Sequence, residues 1–308
     1  MCPCSCRPAY DSSLTDAQWA VVEPLLPVRA PVLGGRPRRY SPRLVIDTIS
    51  CVLVSGCAWR MVPRDLVPWS TAYRWFAAWT ADGTWARVHD VLRDRVRVAD
   101  GRDPQPSAAV LDSQSACSAE GGAEIGYDAG KRVRGRKRHL LVDSCGLELR
   151  AVVHSASVQD RAGAKLVLAG LHREFPQVGL VWVDGGYVHS VDARLIDWAH
   201  EHEQLEVVCV PRNADVKGFQ VLPRRWVVER TFAWISRCRR LARDHERKTS
   251  HSEAMLKVAM IRLMAARLAG EQLPAPRSDV EKVAARRLAG LRPRRWCTGS
   301  SLVSGVAS

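Results

Sequence analysis

The first hundred residues carry apolar positions at helical spacing. Residues 14–26 (LTDAQWAVVEPLL) open with Thr15, followed three residues later by Gln18, which is a capping pattern, and continue as an amphipathic helix. A second helix is predicted over residues 43–55, where apolar side chains recur every three or four positions until Gly56 interrupts them. This part of the chain is therefore predicted to be helical.

A short segment around Trp59 and a third helix in PWSTAYRWFAAW complete the helical part, and Ser70 is expected to cap the third helix. The order helix, break, short helix, loop, helix is compatible with a helix-turn-helix module. An ordinary small helical bundle fits the same pattern. The DNA-binding interpretation is favoured by a group of arginines: Arg36, Arg38, Arg39 and Arg43.

The pattern changes after residues 100–107, which are polar and turn-forming and which we interpret as a domain boundary. Short apolar runs follow: SAAVLD, RHLLVDSCGLELRAVVH, GLVWVDGGY and EVVCVP. The second run predicts a hairpin with its turn at residues 144–146. Helices are predicted at 160–175 and 190–203, so the sum is an α/β domain with a mixed sheet.

Composition adds a constraint on partners. Of 308 residues, 46 % are hydrophobic, which is enough for one large core or two domains. The 46 Lys and Arg against 32 Asp and Glu leave a formal charge of +14, which favours a polyanionic partner such as nucleic acid, and a basic surface without a partner is the equally weighted alternative. No apolar run of about 20 residues predicts a membrane span, and the N-terminus lacks a secretory apolar core.

The ten cysteines include no CxxC pair. Cys2, Cys4 and Cys6 alternate too closely for the usual zinc spacing, so we interpret them as a frayed, reduced tail, with a metal role as the alternative. This usage is typical of the reducing cytoplasm.

Two aspartates each follow an apolar run. Asp112 closes AAVLD, and Asp184 closes LVWVD before two glycines. Such runs belong inside a sheet, so both are expected at the C-terminal edges of strands, where sites assemble in open α/β sheets. A turn or cap role is the alternative for either residue.

Glu229 interrupts the apolar segment RRWVVERTF. On a helix over residues 225–242, at about 100° per residue, Glu229 shares a polar stripe with Arg225, Phe232, Ala233, Ser236 and Arg240. The opposite, core-facing side comprises Val227, Val228, Thr231, Trp234, Ile235, Cys238, Leu241 and Ala242. The alternative to a functional Glu229 is a pair with Arg225, which is worth only tenths of a kcal/mol.

Two aspartates and a glutamate in a basic chain supply the hard oxygen ligands suited to Mg²⁺ or Mn²⁺. Two such ions about 4 Å apart can activate an attacking oxygen and stabilise the leaving one in phosphoryl transfer. Arginines beside them would hold a DNA backbone.

The chain resembles the bacterial insertion-sequence transposases with a DDE triad, in the insertion sequence four/five superfamily. The resemblance covers roughly residues 14–270 and is carried by LTDAQWAVVEPLLP, GRPRRYSPR, GCAWRMVP, WSTAYRWFAAW, AVLDSQS, YDAGKRVRGRKRHLLVDSCGL, SASVQDRAGA, VWVDGGY and LPRRWVVERTFAWISRCRRLARDHE. It implies a ribonuclease H-like fold, with Asp112, Asp184 and Glu229 as the catalytic and metal-binding triad. It also implies metal-dependent DNA cleavage and joining at inverted-repeat ends.

The superfamily signature around the glutamate also has a tyrosine, an arginine and a lysine. Arg225 fits the arginine, whereas Leu222 and Ser236 depart from the tyrosine and the lysine. Arg237 or Arg240 is a hypothetical substitute for the lysine's phosphate contact. The short 211–224 link leaves no room for the insertion domain of some relatives.

The basic run KRVRGRKR at 131–138 is expected to contact the DNA backbone, with an ordinary solvated face as the alternative. The predicted DNA-binding residues are Lys131, Arg134, Arg136, Lys137, Arg138, Arg225 and Arg230. We interpret His139 and Asp143 as structural. Asp160 is expected to cap a helix, with a role around the metal ligands as the alternative.

These expectations divide the chain into a disordered tail at 1–12, a helical DNA-binding domain at 13–100, a ribonuclease H-like catalytic domain at 101–272 and a basic, largely disordered tail at 273–308. The expected protein is a cytoplasmic, nucleoid-associated transposase that uses two metal ions, acts on double-stranded DNA and forms a homo-oligomer on it. The alternatives are a metal-dependent nuclease that does not join strands, and an inactive DNA-binding protein derived from a transposase.

Overall fold

The computed structural model describes residues 10–27, 39–119, 121–187, 194–210 and 224–271. Some expectations lie outside these residues: those on Cys2, Cys4, Cys6, Arg36, Arg38, Leu222, the link before Arg224 and the tails at 1–9 and 273–308. The described residues form one compact unit. The division of this unit into two functional parts near residue 100 stays a prediction.

The first part of the chain is helical, as predicted. It contains α1 (Asp16–Val22), α2 (Pro42–Ser55), α3 (Trp69–Ala81), α4 (Thr84–Ala99) and single 3₁₀ turns at Glu23–Leu25 and Trp59–Met61. The Thr15 hydroxyl accepts the Gln18 amide at 3.1 Å, which confirms the predicted cap of α1. Gly56 ends α2 with a φ of 71°, a left-handed conformation that glycine adopts without steric cost.

Ser70 does not cap α3, and that prediction is wrong. The helix begins at Trp69, so Ser70 is its second residue and Pro68 occupies the cap position. The Pro68 carbonyl accepts the amides of Thr71 at 2.9 Å and Ala72 at 3.1 Å. The backbone alone therefore starts this helix.

The second part of the chain forms a mixed six-stranded sheet, as predicted. Its strands are β1 (Ala108–Cys117), β2 (Gly126–Asp128), β3 (Val133–Asp143), β4 (Glu148–Ser155), β5 (Leu180–Val183) and β6 (Glu206–Cys209). The order is β2-β3-β1-β5-β6, and β4 also pairs with β3. Strand β1 is antiparallel to β3 and parallel to β5, and β5 is parallel to β6. Thus β1 separates an antiparallel half of the sheet from a parallel half.

The predicted hairpin is confirmed between β3 and β4, which are antiparallel. Its turn contains Gly146 with a φ of 78°. Asp143 fixes the turn from within, because its Oδ1 accepts the amides of Cys145 and Leu147 at 2.8 Å each. The other oxygen of this buried carboxylate pairs with the buried Arg97 of α4. Asp143 is therefore structural, as its position suggested.

Within the described ranges, six helices accompany the sheet: α5 (Asp160–Leu168), α6 (Leu171–Glu174), α7 (Arg194–Glu203), α8 (Trp226–Ser236), α9 (Arg239–Ala242) and α10 (Thr249–Leu268). Each of two single helices predicted here is divided. Gly170, with a φ of 68°, separates α5 from α6. Cys238 has extended backbone and separates α8 from α9. The amides of Arg237 and Cys238 bond three residues back, which tightens and ends α8.

Helices α5 to α7 enclose the main core with the sheet. Its buried members include Leu111, Leu141, Val167, Leu171, Phe175, Val181, Val183, Leu195 and Val207. Helix α8 packs against β1 and β3, and α10 packs against β4 and also against α1 and α4. Helix α10 therefore joins the N-terminal helices to the sheet. None of the described helices has both the length and the apolar character needed to cross a bilayer.

Candidate active site

Asp112 and Asp184 lie at the same level of two adjacent strands. Val110 of β1 pairs with Trp182 of β5 in parallel register, and the two aspartates follow two residues later on each chain segment. Asp184 directly follows Val183, the last residue of β5, as predicted. The parallel pairing thus delivers two carboxylates side by side.

The expectation that Asp112 closes its strand is wrong. It is the fifth of ten residues in β1, and it lies opposite Leu140 of β3. The long antiparallel partner β3 continues to pair with β1 as far as Cys117. Asp112 therefore marks the end of the parallel pairing, not the end of the strand.

Arg225 faces both aspartates. Its Nη2 lies 3.8 Å from Oδ2 of Asp112 and 3.8 Å from Oδ2 of Asp184. The Arg225 side chain is only 7 % exposed. The prediction that it contacts the DNA backbone is therefore not supported, because its guanidinium is buried against the carboxylates. Among the described residues its ion pairs are with these aspartates and not with Glu229, which removes the simple pairing alternative for Glu229.

Burial dominates the electrostatics of Asp112. Desolvation raises the pKa of its carboxyl to about 6, and the negative charge of Asp184 acts in the same direction. The amide of Ser113, which donates to Oδ1 at 2.7 Å, and the charges of Arg225 and Lys131 oppose this rise only in part. The burial of the Asp112 carboxyl therefore outweighs the positive charges beside it.

Lys131 lies beside this site, in agreement with its predicted position near the site. It is exposed, and its Nζ donates to the carbonyl of Ser113 at 3.1 Å and to the hydroxyl at 3.2 Å. The Ser113 hydroxyl in turn donates to Asp160 Oδ1 at 3.0 Å. Ser113 thus connects Lys131 and Asp160 to the residue that follows Asp112.

Asp160 is not a helix cap. It is the first residue of α5, and the cap position belongs to Gln159, whose side chain makes no capping bond. The Asp160 carboxylate lies 2.9 Å from Lys137 Nζ. Burial alone would raise the pKa of Asp160, but the hydrogen bond and charge of Lys137 lower it below its usual value. Asp160 therefore belongs to the surroundings of Asp112, which was the alternative interpretation of this residue.

Three of the predicted DNA contacts in the basic run are contradicted by burial. Arg136, Lys137 and Arg138 are 0, 4 and 1 % exposed. Lys137 contacts Asp160 as described above, and Arg138 Nη1 donates to the Leu241 carbonyl at 2.6 Å. In contrast, Lys131 and Arg134 are exposed, so DNA contacts by these two remain predictions.

Arg136 shows why a charged run becomes buried here. Its Nη1 lies 3.2 Å from Asp244 Oδ1 and donates to the Glu246 carbonyl at 2.7 Å. Its Nε donates to the Ala123 carbonyl at 2.9 Å and its Nη2 to the Arg247 carbonyl at 3.0 Å. A buried guanidinium is tolerated when it is paired and hydrogen-bonded in this way.

Arg230 is also engaged inside the protein. Its guanidinium carbon lies 4.3 Å from the ring centre of Trp226 and 4.7 Å from that of Trp234. Its Nη2 donates to the Cys145 carbonyl at 2.9 Å. The predicted DNA contact by Arg230 is therefore not supported, since the group stacks between two indoles and holds α8 to the hairpin turn.

The helix that carries Glu229 is anchored at the same turn, where the Thr231 hydroxyl donates to the Gly146 carbonyl at 2.8 Å. Val227, Val228 and Ile235 are buried as expected. The predicted stripes are wrong for four residues, because Phe232, Arg225 and Arg240 are buried and Ala242 is exposed. Glu229 is half-buried, one turn after Arg225.

The structure brings together two of the three predicted acids. Asp112 and Asp184 share Arg225, and Glu229 lies on the helix packed against β1. Within the described ranges, no three His, Cys, Asp or Glu side chains form a group that could hold a metal ion. The role of Glu229 beside the two aspartates stays a prediction.

Sequence reasoning missed one neighbour of the site, Tyr187. This tyrosine is 1 % exposed, and burial, followed by the charges of Asp112 and Asp160, raises its pKa well above its usual value. Its ring meets the buried His139 edge to face, with ring centres 6.0 Å apart. Gly185 and Gly186 indicate a turn after Asp184 in the sequence. This turn places Tyr187 near the carboxylates of Asp112 and Asp160.

Comparison with known protein families gives two adjoining matches. A family model described as "Putative transposase of IS4/5 family" matches residues 14–89. A second, described as "Transposase DDE domain", matches residues 103–264 and so contains all three acids. No solved structure matches the chain.

Two curated proteins of Burkholderia cepacia are similar to the chain. The "Insertion element IS402 uncharacterized 16.2 kDa protein" is 34 % identical over 117 residues, which are 37 % of this chain and 78 % of that protein. The "Putative transposase for insertion sequence element IS402" is 30 % identical over 133 residues, 40 % of this chain and 60 % of that protein. The chain thus spans less than two thirds of the second relative.

Proposed function

The chain belongs to the transposase DDE domain family, and from this premise we propose that it cuts and joins DNA strands at the inverted-repeat ends of an insertion sequence by metal-dependent phosphoryl transfer. The observation that carries the proposal is the side-by-side placement of Asp112 and Asp184 around Arg225. Two partly buried carboxylates at the end of parallel pairing have little structural use, because their mutual repulsion destabilises the fold.

The fold proposed for the catalytic part is ribonuclease H-like. Support comes from β1, which has an antiparallel neighbour on one side and a parallel neighbour on the other. The first candidate acid lies on this central strand and the second follows the adjacent parallel strand. The third lies on α8, which packs against β1. This distribution agrees with the fold that the family resemblance implies.

The proposed cofactors are two Mg²⁺ ions, with Mn²⁺ as a substitute. The carboxylates fit such ions, since their Oδ2 atoms already face one shared cation, the Arg225 guanidinium. Burial raises the pKa of the Asp112 carboxyl to about 6, and a bound cation would favour its charged form. Asp112, Asp184 and Glu229 would hold the ions. When bound, the ions supply activation of the attacking oxygen and stabilisation of the leaving one.

The chain's own residues position these groups. The Ser113 amide orients Asp112 through its 2.7 Å hydrogen bond. Arg225 holds the two carboxylates at one level and limits their repulsion. Lys131, exposed beside Ser113, is placed to bind a phosphate of the DNA strand. Water first breaks the phosphodiester at the element end and leaves a 3′ hydroxyl and a 5′ phosphate. The 3′ hydroxyl then attacks a phosphodiester of the target strand, forms the new P–O bond and releases the target's own 3′ hydroxyl.

The proposed partner is double-stranded DNA, both element ends and target. The formal charge of +14 supports this partner. Strand transfer requires two ends held together, so we propose a homo-oligomer on DNA, with residues 13–100 as the DNA-binding part. A nucleoid-associated, cytoplasmic location follows from such a partner.

A strand-transfer assay with pre-cut inverted-repeat ends from the DNA flanking the gene tests the proposal. Joined products that require Mg²⁺ and disappear in Asp112→Asn are expected. Hydrolysis without joining would instead identify a nuclease. DNA binding without either reaction would identify an inactive DNA-binding derivative.

A further inference from the structure

The segment that joins α9 to α10, residues 243–248, has two chemically opposite faces. Its first and last residues have extended backbone, with φ values of −132° and −108°. Asp244 and Glu246 are buried, at 2 and 7 % exposure, whereas Arg243 and Arg247 are exposed. The acids of this segment therefore point inward and its arginines outward.

The inward acids are already neutralised inside the protein. Asp244 pairs with Arg136 at 3.2 Å and accepts the Ser252 hydroxyl at 2.7 Å. Glu246 lies 2.8 Å from Arg240 Nη2. The positive charges on the outer face are therefore not cancelled by the acids between them.

We call the outer face the basic strip, which consists of Arg243, His245, Arg247 and Lys248. Burial and the nearby arginines lower the pKa of His245, so the strip's charge comes from the other three. None of those three forms an ion pair with another residue of the described ranges, although all are exposed. Unpaired arginines on a surface are ready to bind an anion bidentately.

The basic strip runs between two clefts. One cleft, of about 390 Å³, is lined by His245, Arg247, Trp59, Arg60, Trp69 and Tyr73 among others. The other, of about 740 Å³, is lined by Arg243, Arg134, Ser118, Gly121 and Gly122 among others. In the first, Arg60 lies over the ring of the partly exposed Trp69, 5.3 Å from its centre. Residues of the basic strip therefore line one cleft beside the N-terminal helices and another at the start of β3.

We propose that the basic strip, with Arg60 and Arg134 at its two ends, binds the phosphodiester backbone of duplex DNA at a surface separate from the carboxylate site. The inference rests on the proposed function in that DNA is the substrate. The basic strip would position one DNA duplex against both the N-terminal helices and the sheet.

The test is a DNA-binding titration of the full chain by fluorescence anisotropy, without divalent metal, on a duplex over a series of salt concentrations. The double variant Arg243→Ala, Arg247→Ala should lower the slope of log affinity against log salt by about 1.8, which is 0.9 for each phosphate that the variant no longer neutralises. If the two proteins bind equally at 1 M salt, affinity at 0.1 M salt should fall about 60-fold, which is the factor that a slope change of about 1.8 gives over a tenfold range of salt. Arg243→Lys, Arg247→Lys, which keeps both charges, should restore most of the slope.

The matched control is Arg102→Ala, Arg173→Ala, which removes the same charge from two exposed positions that lie beyond residues 13–100 and outside both clefts. If the strip variant and the control change the slope equally, the proposed DNA-binding role of the basic strip is overturned, because DNA binding would then depend only on the net charge of the protein. Thermal melting of each variant excludes unfolding as the cause.

The strip and the proposed function fail in different ways. If the strip variant has a reduced slope but the unaltered protein performs no strand transfer, the DNA-binding role of the basic strip stands and the transposase proposal fails. If strand transfer is normal and the slope of the strip variant is unchanged, the transposase proposal stands and the DNA-binding role of the basic strip fails. Absence of any duplex binding by the unaltered protein overturns both.

Discussion

Asp112 and Asp184 lie level with each other across β1 and β5, and one nitrogen of Arg225 lies 3.8 Å from an oxygen of each. Two negative charges therefore share one buried positive charge. The two carboxylates form a site for a cation, and in this structure the Arg225 guanidinium is that cation. Its consequences can be tested one residue at a time.

Replacing Arg225 should have opposite effects on the metal-free and the metal-bound protein. Arg225→Ala leaves two neighbouring carboxylates without a buried countercharge, so the metal-free protein should lose about 3 kcal/mol of unfolding free energy. Mg²⁺ should stabilise this variant more than the unaltered protein, because it restores the missing charge. Denaturant unfolding with and without Mg²⁺ measures both effects. Equal Mg²⁺ stabilisation in the two proteins would contradict the shared-cation interpretation.

Asp112→Asn should stabilise the metal-free protein at neutral pH while it abolishes cleavage. The folded pKa of about 6 lies above the usual 3.8, so the stabilisation from Asp112 protonation is complete below about pH 3.8 and is lost as the pH rises through 6. This difference between the folded and the usual pKa of Asp112 corresponds to about 3 kcal/mol of unfolding free energy. The variant's advantage in unfolding free energy should therefore be largest near pH 8 and vanish near pH 4. A pH-independent difference would rule out the raised pKa.

Glu229→Gln should remove DNA cleavage and leave folding intact. Glu229 is half-buried and has no ion pair within the described residues, so its neutralisation should change the unfolding free energy by no more than about 0.5 kcal/mol. Cleavage at saturating Mg²⁺ and duplex binding are measured on the same preparation. Full cleavage by this variant would show that Glu229 is not a metal ligand.

The two halves of the basic run should respond differently to substitution. Arg136→Ala leaves the buried Asp244 without its countercharge and removes the donor to the carbonyls of Ala123 and Glu246, so the fold should lose about 3–5 kcal/mol. Arg134→Ala should leave stability unchanged, because its side chain is exposed, and should lower the salt slope of DNA binding by about 0.9. Melting curves and anisotropy separate the two effects. Equal stability losses would contradict the division of the run into a buried and an exposed half.

Local patterns predicted the elements well, because helix caps and strand runs depend on nearby residues. The cap at Thr15, the end of α2 at Gly56 and the hairpin turn are of this kind. The position of Asp184 after its strand was predicted for the same reason. The division of the helix at Cys238 was not, since nothing in its neighbourhood breaks the helical pattern.

Long-range pairing explains the larger errors. Arg136 looked solvated because its acceptors, Asp244 and the Glu246 carbonyl, lie more than 100 residues further along the chain. Arg225 and Arg230 looked like DNA contacts because neither the two aspartates nor the hairpin turn is near in sequence. A basic residue in a strand has no visible partner until the sheet is assembled.

The internal acceptors of Arg136 and Arg138 limit how short a working copy of this protein can be. A copy ending after Ser236 would still encode Asp112, Asp184 and Glu229, yet it would lack Asp244 and the Leu241 carbonyl. Arg138 would then lose its Leu241 acceptor, and Arg136 would lose its carboxylate partner and two of its three carbonyl acceptors, while both guanidinium groups stay buried. We expect such shortened gene copies to yield a product that is degraded, however complete its three acids are.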